Sequence, residues 1–323
     1  MRPTSLIAVT NDLSRALIPS ALYLDGLEDA AKEAANHIYL VAIAPRVDAL
    51  SVERSGDGWK LRTQYFDGKW KPRTLPIARE LFPTGTVRVK DSVLIHVTDQ
   101  GEQRLSAVEV ARMVLDRSNV GTPEADQLWK ANTIKKFFTY QIVYVGQAYG
   151  RDTRRSAVKR LADGHEKLQR VLAAVNDHYR TSDVGIIVAN ARAQGREMNL
   201  SVNSGNVVEA ARATRDFITT AFGPLEDEGS TIDAVEAMLI RYFQPPLNDR
   251  LKEFPLRDRP GLVEPMLNSG ITHLGIHFDV SESHALLADP QTGESKSWHR
   301  FAVNLRDGTR ETPATSAPLA WRM

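Results

Sequence analysis

The chain has 323 residues, of which 42% are hydrophobic, as in an ordinary soluble globular protein of two domains or of one domain with large insertions. It contains no cysteine, which excludes disulfides, thiolate metal sites and a cysteine nucleophile, and its net charge of +1 leaves any case for nucleic acid to local clustering. No apolar run reaches the length of a membrane span, and the N-terminus lacks the apolar core of a signal peptide, so no membrane partner and a cytoplasmic location are the default expectations.

Ile38 to Ala44 reads as an apolar strand. Gly56-Asp57-Gly58 and Asp67-Gly68 mark turns around a strand from Trp59 to Phe66, and Thr86 to Val89 and Ser92 to Val97 follow as strands. Ser106 and Glu109 have the spacing of a capping box, ahead of a helix whose apolar residues are Val108, Val110, Ala111, Val114 and Leu115. Together these elements predict a β-rich N-terminal domain over residues 1–125, without recognisable chemistry. The polar stretch from Gly121 to Ala131 reads as a connection.

A second domain, residues 126–323, is predicted to open with a strand from Phe137 to Val145 and a helix or helix pair from Thr153 to Leu172. Between Arg151 and Arg170 seven basic residues face three acidic ones, a local positive cluster. Val184 to Ala189 is a strand, an extended segment runs on through Val202, and a helix covers Asn206 to Ala221. An acidic loop then leads into a helix entered near Ser230 and Asp233 and ended by Pro245-Pro246. Ile271 to Val280, Ala285 to Ala288 and Trp298 to Leu305 read as further strands, so the fold class is α+β.

The helix before Pro245 carries a carboxylate in an apolar setting. At about 100° per residue, Ile232, Leu239, Ile240 and Phe243 fall within about 60° of Glu236. An ionised carboxylate buried there needs a cation, a raised pKa or a metal ion at the edge of a cleft.

Tyr144-Val145-Gly146, the downstream Arg160-Leu161 and His165, then Glu236, Leu239-Ile240, Pro245 and Asn248, in that order, resemble the GIY-YIG nuclease family. The family's second signature is Tyr-Ile-Gly, and its metal-binding glutamate and late asparagine are commonly about twelve residues apart, as Glu236 and Asn248 are. The resemblance covers Ile142 to Asn248 and implies a small three-stranded sheet flanked by helices, with the catalytic groups on one concave face. It implies a GIY-YIG-like nuclease domain with insertions, acting as a metal-dependent endonuclease on DNA with restriction, mobile-element or antiviral roles. Glu236 would hold one Mg2+ (or Mn2+), whose octahedron waters and phosphate would complete. Tyr144 would act near the attacking water, and Arg160 at the scissile phosphate with His165 beside it.

Arg160 and His165 share a face only if Asp163-Gly164 breaks the helix; otherwise Arg155 is the rival phosphate ligand and His165 joins the apolar stripe of Leu161, Leu168 and Leu172. Gly146, Gln147 and Asn248 complete the substrate-side group, with Asn248 expected to tie the end of the glutamate segment to neighbouring backbone. The first signature, Gly-Ile-Tyr, is expected about ten residues before Tyr144. That region reads Thr133-Ile134-Lys135-Lys136-Phe137-Phe138-Thr139-Tyr140, leaving Tyr140 or Lys135 to supply the missing group. A double-strand cutter with one site per chain is expected to form a homodimer or to act twice. The alternatives are a non-catalytic nucleic-acid-binding or regulatory protein on a degenerate nuclease fold, and a metalloenzyme using His277 and Asp279 on one strand face with His284 nearby.

Overall fold

In a computed structural model of the protein the described residues are 4–10, 15–17, 38–117, 123–147, 166–189, 192–199, 228–257, 261, 263–268, 273–280 and 284–311. They form a mixed α+β structure in which strands dominate. In chain order these are β1 (Thr4–Thr10), β2 (Arg15–Leu17), β3 (Ile38–Pro45), β4 (Val47–Ser55), β5 (Gly58–Asp67), β6 (Lys69–Ile77), β7 (Thr86–Lys90), β8 (Val93–Thr98), β9 (Gly101–Ser106), α1 (Ala107–Arg117) and α2 (Pro123–Phe137). The second half supplies β10 (Thr139–Gln147), α3 (Glu166–His178), β11 (Ser182–Ala189), β12 (Arg192–Asn199), α4 (Glu228–Phe243), α5 (Val263–Asn268), β13 (His273–Asp279), β14 (Leu286–Ala288), β15 (Ser295–Lys296), β16 (Trp298–Asn304) and β17 (Arg310–Glu311).

The sheet that organises the molecule has the order β15-β14-β10-β3-β11-β2, with β3 antiparallel to both β10 and β11. The sequence of β3 is apolar without alternation because both of its faces are covered. Ile38, Leu40, Ala42 and Ala44 enter the main core, while Tyr39, Val41 and Ile43 join a smaller cluster with Val171 and Val175 of α3. A second sheet, β12-β1-β13-β16-β17, lies beyond α4, which packs against β10 and β13.

The pairing of β3 with β10 and β11 joins strands from either side of residue 125, so a division there separates neighbours of one sheet. Between β3 and β10 the chain builds an insertion of two three-stranded sheets, β4-β5-β6 and β7-β8-β9, and two helices. Its root is tied to β11 and the turn before it: the Arg46 N–H donates to the Thr181 carbonyl and the Val47 N–H to Asp183 Oδ2, both at 3.2 Å.

The capping box forms as expected, the Ser106 N–H donating to Glu109 Oε2 at 2.7 Å and the Glu109 N–H to Ser106 Oγ at 3.2 Å. The expected connection from Gly121 to Ala131 is corrected, because Pro123–Phe137 is helical and the following strand starts at Thr139. Proline in the first turn, Glu124 and Asp126 near the N-terminus and Lys135 and Lys136 near the C-terminus suit a helix. Its apolar residues form no clean stripe, since Leu128 is exposed while Thr133 is buried, and the periodicity that reveals other helices is absent.

Candidate active site

Strict alternation along β10 would put Tyr144 on the same face as Tyr140 and Ile142. The register with β3 shifts between Ile142, opposite Ala42, and Tyr144, opposite Val41. This bulge turns Tyr144 to the other face, where it joins Tyr39, Val41 and Val143, and leaves Tyr140 and Ile142 in the main core. The Tyr39 and Tyr144 rings then lie 5.9 Å apart between centroids, tilted by 36°, and share a side-chain hydrogen bond.

Gly146 stands opposite Tyr39 in the ladder. A Cβ there would lie 2.7 Å from Tyr144 Cε1 and 2.8 Å from Tyr39 Cζ and hydroxyl, so the absent side chain is what lets the two rings close over the strand. Sequence reasoning missed Tyr39. The signal that would have found it is His37-Ile38-Tyr39, two of whose three residues match Gly-Ile-Tyr, although Tyr39 lies 105 residues before Tyr144.

Glu236 lies on α4 with Ile232, Leu239, Ile240 and Phe243 buried beside it, as its helix phase predicts, and is itself half-buried. Ala234, Val235, Ala237, Met238 and Tyr242 are buried as well, so the helix is covered nearly all round rather than along one stripe. The Glu236 charge reaches Tyr144: burial first, and this carboxylate second, push the phenol up to about 12, against the hydrogen bond from Tyr39.

After the helix the chain turns back along the edge of β10 away from β3, beyond Thr139 and Tyr140, which pair with β14. The Leu247 N–H donates to the Val143 carbonyl at 3.0 Å. Asn248 then pairs with Val145 as a strand residue would, its Oδ1 accepting the Val145 N–H and its Nδ2 donating to the Val145 carbonyl, both at 2.8 Å. Asn248 is buried with both ends of its amide engaged, which is the backbone tie expected of it. The interval between Glu236 and Asn248 is thus the path from the helix face over Tyr144 to the strand edge beside it.

The far end of α4 is anchored to the second sheet. The Tyr242 hydroxyl lies 3.0 Å from Asp289 Oδ2 and 2.8 Å from His299 Nδ1, two acceptors for its single proton, and the Arg310 guanidinium sits 4.1 Å above the Tyr242 ring. Burial pushes His299 down to about 4, so at neutral pH it is an uncharged ring whose Nε2 donates to the Lys296 carbonyl. Arg241 donates to the Lys252 and Gly308 carbonyls. These contacts fix the rotation of α4 and hence the direction of Glu236.

Arg155, Arg160 and His165 lie outside the described residues. Gln147 ends β10 opposite Ile38, with its Oε1 buried and without a hydrogen-bond partner among the described residues. Neither candidate for the missing first signature reaches the site. Tyr140 packs on the opposite face with its ring against Gly185 and its hydroxyl bonded to Arg112, and Lys135 is an exposed residue of α2. His277 and Asp279 are on β13, while His284 bonds to Asp116 of α1 at 2.7 Å. Among the described residues no three His, Cys, Asp or Glu side chains gather into a metal-binding group. No described helix is long and apolar enough to cross a membrane.

Comparison with protein-family models, with curated proteins and with solved structures finds no match to this chain.

Proposed function

We propose that the chain is a metal-dependent endonuclease of the GIY-YIG type that hydrolyses phosphodiester bonds in DNA, with a large insertion between the strands that bear its two signatures. The observation that carries this reading is the β3–β10 register, which sets Ile38-Tyr39 against Gln147-Gly146 and brings Tyr39, Tyr144 and the charge of Glu236 to one place. On this reading His37-Ile38-Tyr39 is the first signature. Within the six-stranded sheet, β10-β3-β11 are three antiparallel strands with α3 on one face, an arrangement compatible with the small three-stranded sheet that the resemblance implies.

Phosphodiester hydrolysis needs a placed water, neutralisation of the charge that builds on phosphorus and a stabilised leaving oxygen. A phenol held near 12 keeps its proton at neutral pH, so Tyr144 positions the water or a phosphate oxygen by donating a hydrogen bond and does not act as the base. Glu236, one hard carboxylate oxygen donor beside two phenols, fits a Mg2+ (or Mn2+) whose other ligands are waters and phosphate. The ion would supply Lewis-acid stabilisation of the phosphate. Arg155 and Arg160, in the basic segment after β10, are the residues of this chain that would meet the phosphate.

The burial of Tyr39 and Tyr144, 3% and 2% exposed, favours a second reading, a non-catalytic nucleic-acid-binding protein on the same fold. Nicking of supercoiled DNA with Mg2+ or Mn2+ separates the two. The nuclease reading expects metal-dependent nicking that falls at least a hundredfold in Glu236→Gln and clearly in Tyr39→Phe and Tyr144→Phe. Equal activity of the native protein and Glu236→Gln overturns it, and so does inertness of the native protein.

A further inference from the structure

The insertion between β3 and β10 gathers cations on the side of its first sheet that faces α2. Directly opposed residues of an antiparallel pair share a face. The register of β5 with β6 therefore sets Tyr65 beside Lys71 and Thr63 beside Arg73, with Asp67 and Lys69 at the turn on the same side. Two contacts show that this is the side α2 covers. Arg73 Nη2 donates to Thr133 Oγ1 at 2.8 Å, and the Phe137 ring stands 5.9 Å from that of Tyr65. From the last turn of α2, Lys136 reaches over the Tyr65 ring, its Nζ 5.8 Å from the centroid.

The carboxylates along this seam leave two of the cations unmatched. Asp67 stands opposite Lys69 and is bound to Lys71, and Asp126 of α2 is bound to Lys130 at 2.9 Å. Arg73 and Lys136 have no carboxylate partner among the described residues. Arg73 is also short of acceptors. Thr133 takes one of its N–H groups and Nε is buried with no hydrogen-bond partner, while burial holds the guanidinium below its ordinary pKa against the Tyr65 phenol. The Tyr65 hydroxyl itself makes no hydrogen bond among the described residues, although the residue is only 7% exposed. This phenol lies close enough to act on the charges of both Arg73 and Lys71, so with Lys136 over its ring three cations converge on it.

A partly desolvated guanidinium and an ammonium without counter-charges, beside a phenol O–H with nothing to donate to, are the donor set of an anion site. Two unmatched cations suit a dianion. A phosphate monoester or free phosphate approaches a double charge at neutral pH and offers several strong acceptor oxygens, whereas each backbone diester of nucleic acid carries a single charge. We propose that the seam between β6 and α2 binds the phosphate group of a phosphomonoester or of inorganic phosphate, with Arg73 and Lys136 holding its charge, Tyr65 donating to one oxygen and Lys71 at the rim. The site uses none of the residues assigned to hydrolysis at Glu236 and stands independently of that reading. It gives the insertion a ligand of its own.

The test is isothermal titration calorimetry of the full chain with inorganic phosphate and with methyl phosphate, at constant ionic strength and without divalent metal, so that no ion at Glu236 recruits the ligand. Saturable binding is expected. Arg73→Gln and Lys136→Gln are each expected to weaken it by about tenfold or more, since each removes a charge-assisted hydrogen bond, and Tyr65→Phe by less. Lys60→Gln, which removes a cation from the opposite side of the sheet, is expected to leave the affinity unchanged. Circular dichroism and thermal unfolding show whether each variant is folded, and Lys136→Gln, at a partly exposed helix position, decides the matter if Arg73→Gln does not fold. Tighter binding of methyl phosphate names a monoester as the ligand, and tighter binding of inorganic phosphate names the free ion. No saturable binding of either by the native protein, or equal affinity in folded Lys136→Gln, overturns the proposal. An oligothymidine without terminal phosphates probes the diester. If it binds more tightly than both small phosphates and depends on Lys136, the seam belongs to a nucleic-acid backbone and the proposal falls. DNA cutting is read separately with Glu236→Gln, and its presence or absence leaves the phosphate site as it stands.

Discussion

Asp183 lies where the insertion leaves the sheet, and its charge is costly there. The carboxyl is pushed up to about 6, by burial first and by Asp48 as well, against the Val47 N–H and Arg46, which favour the ionised form. Below about pH 4 the carboxyl is protonated in both the folded and the unfolded chain and contributes nothing. Between 3.8 and about 6 the unfolded chain ionises while the folded one holds its proton, so stability falls as pH rises, and above 6 the full penalty is present. A displacement of about two pH units corresponds to about 3 kcal/mol. Asp183→Asn removes the charge and keeps an oxygen for the Val47 N–H, which donates at 3.2 Å. After allowance for the weaker hydrogen bond to a neutral acceptor, the variant is expected to be about 2 kcal/mol more stable at pH 7. That advantage should shrink as pH falls through 6 and vanish near 4. Urea unfolding of both proteins at pH 4, 5, 6, 7 and 8 measures it. An Asn variant less stable at pH 7, or an advantage that does not change with pH, refutes the reasoning and shows that Arg46 and the Val47 N–H outweigh burial.

The remaining predictions concern the tyrosine pair and its support. Gly146→Ala forces the Tyr39 and Tyr144 rings apart and is expected to destabilise the protein by about 1–3 kcal/mol in thermal unfolding, and to lower any cleavage by more than the stability loss explains. Wild-type stability in that variant would mean the rings are not closed over the strand. Asn248→Ala leaves the Val145 N–H and carbonyl without their partners and is expected to cost about 3 kcal/mol. Asn248→Asp can still accept from Val145 but cannot donate, so it should fall short of wild type as well, and full stability in Asn248→Asp would argue against the paired geometry.

Local residue patterns were enough to predict the Ser106–Glu109 cap and the glutamate helix with its apolar surroundings, because each depends on spacings within one turn or one short segment. The backbone tie made by Asn248, by contrast, was expected from the resemblance alone, and its partner, Val145, lies 103 residues earlier. The same patterns missed α2, whose helical stability does not come with an apolar stripe. They placed β3 correctly as a strand but could not name its partners. An apolar run such as Ile38–Pro45 is compatible with any buried neighbour, and its union with Thr139–Gln147 is a contact across more than ninety residues that only the assembled core selects. The bulge between Ile142 and Tyr144 belongs to the same category. Period-two alternation in the sequence points Tyr144 into the main core, and it is the fit of the two strands, with Gly146 leaving room for both rings, that turns it to face Tyr39. The sequence alone therefore determined where elements such as β3, the capped helix α1 and the glutamate helix α4 lie. Tertiary structure decided which of them meet, since strand partner and register are set by packing between segments and leave no mark on either segment by itself.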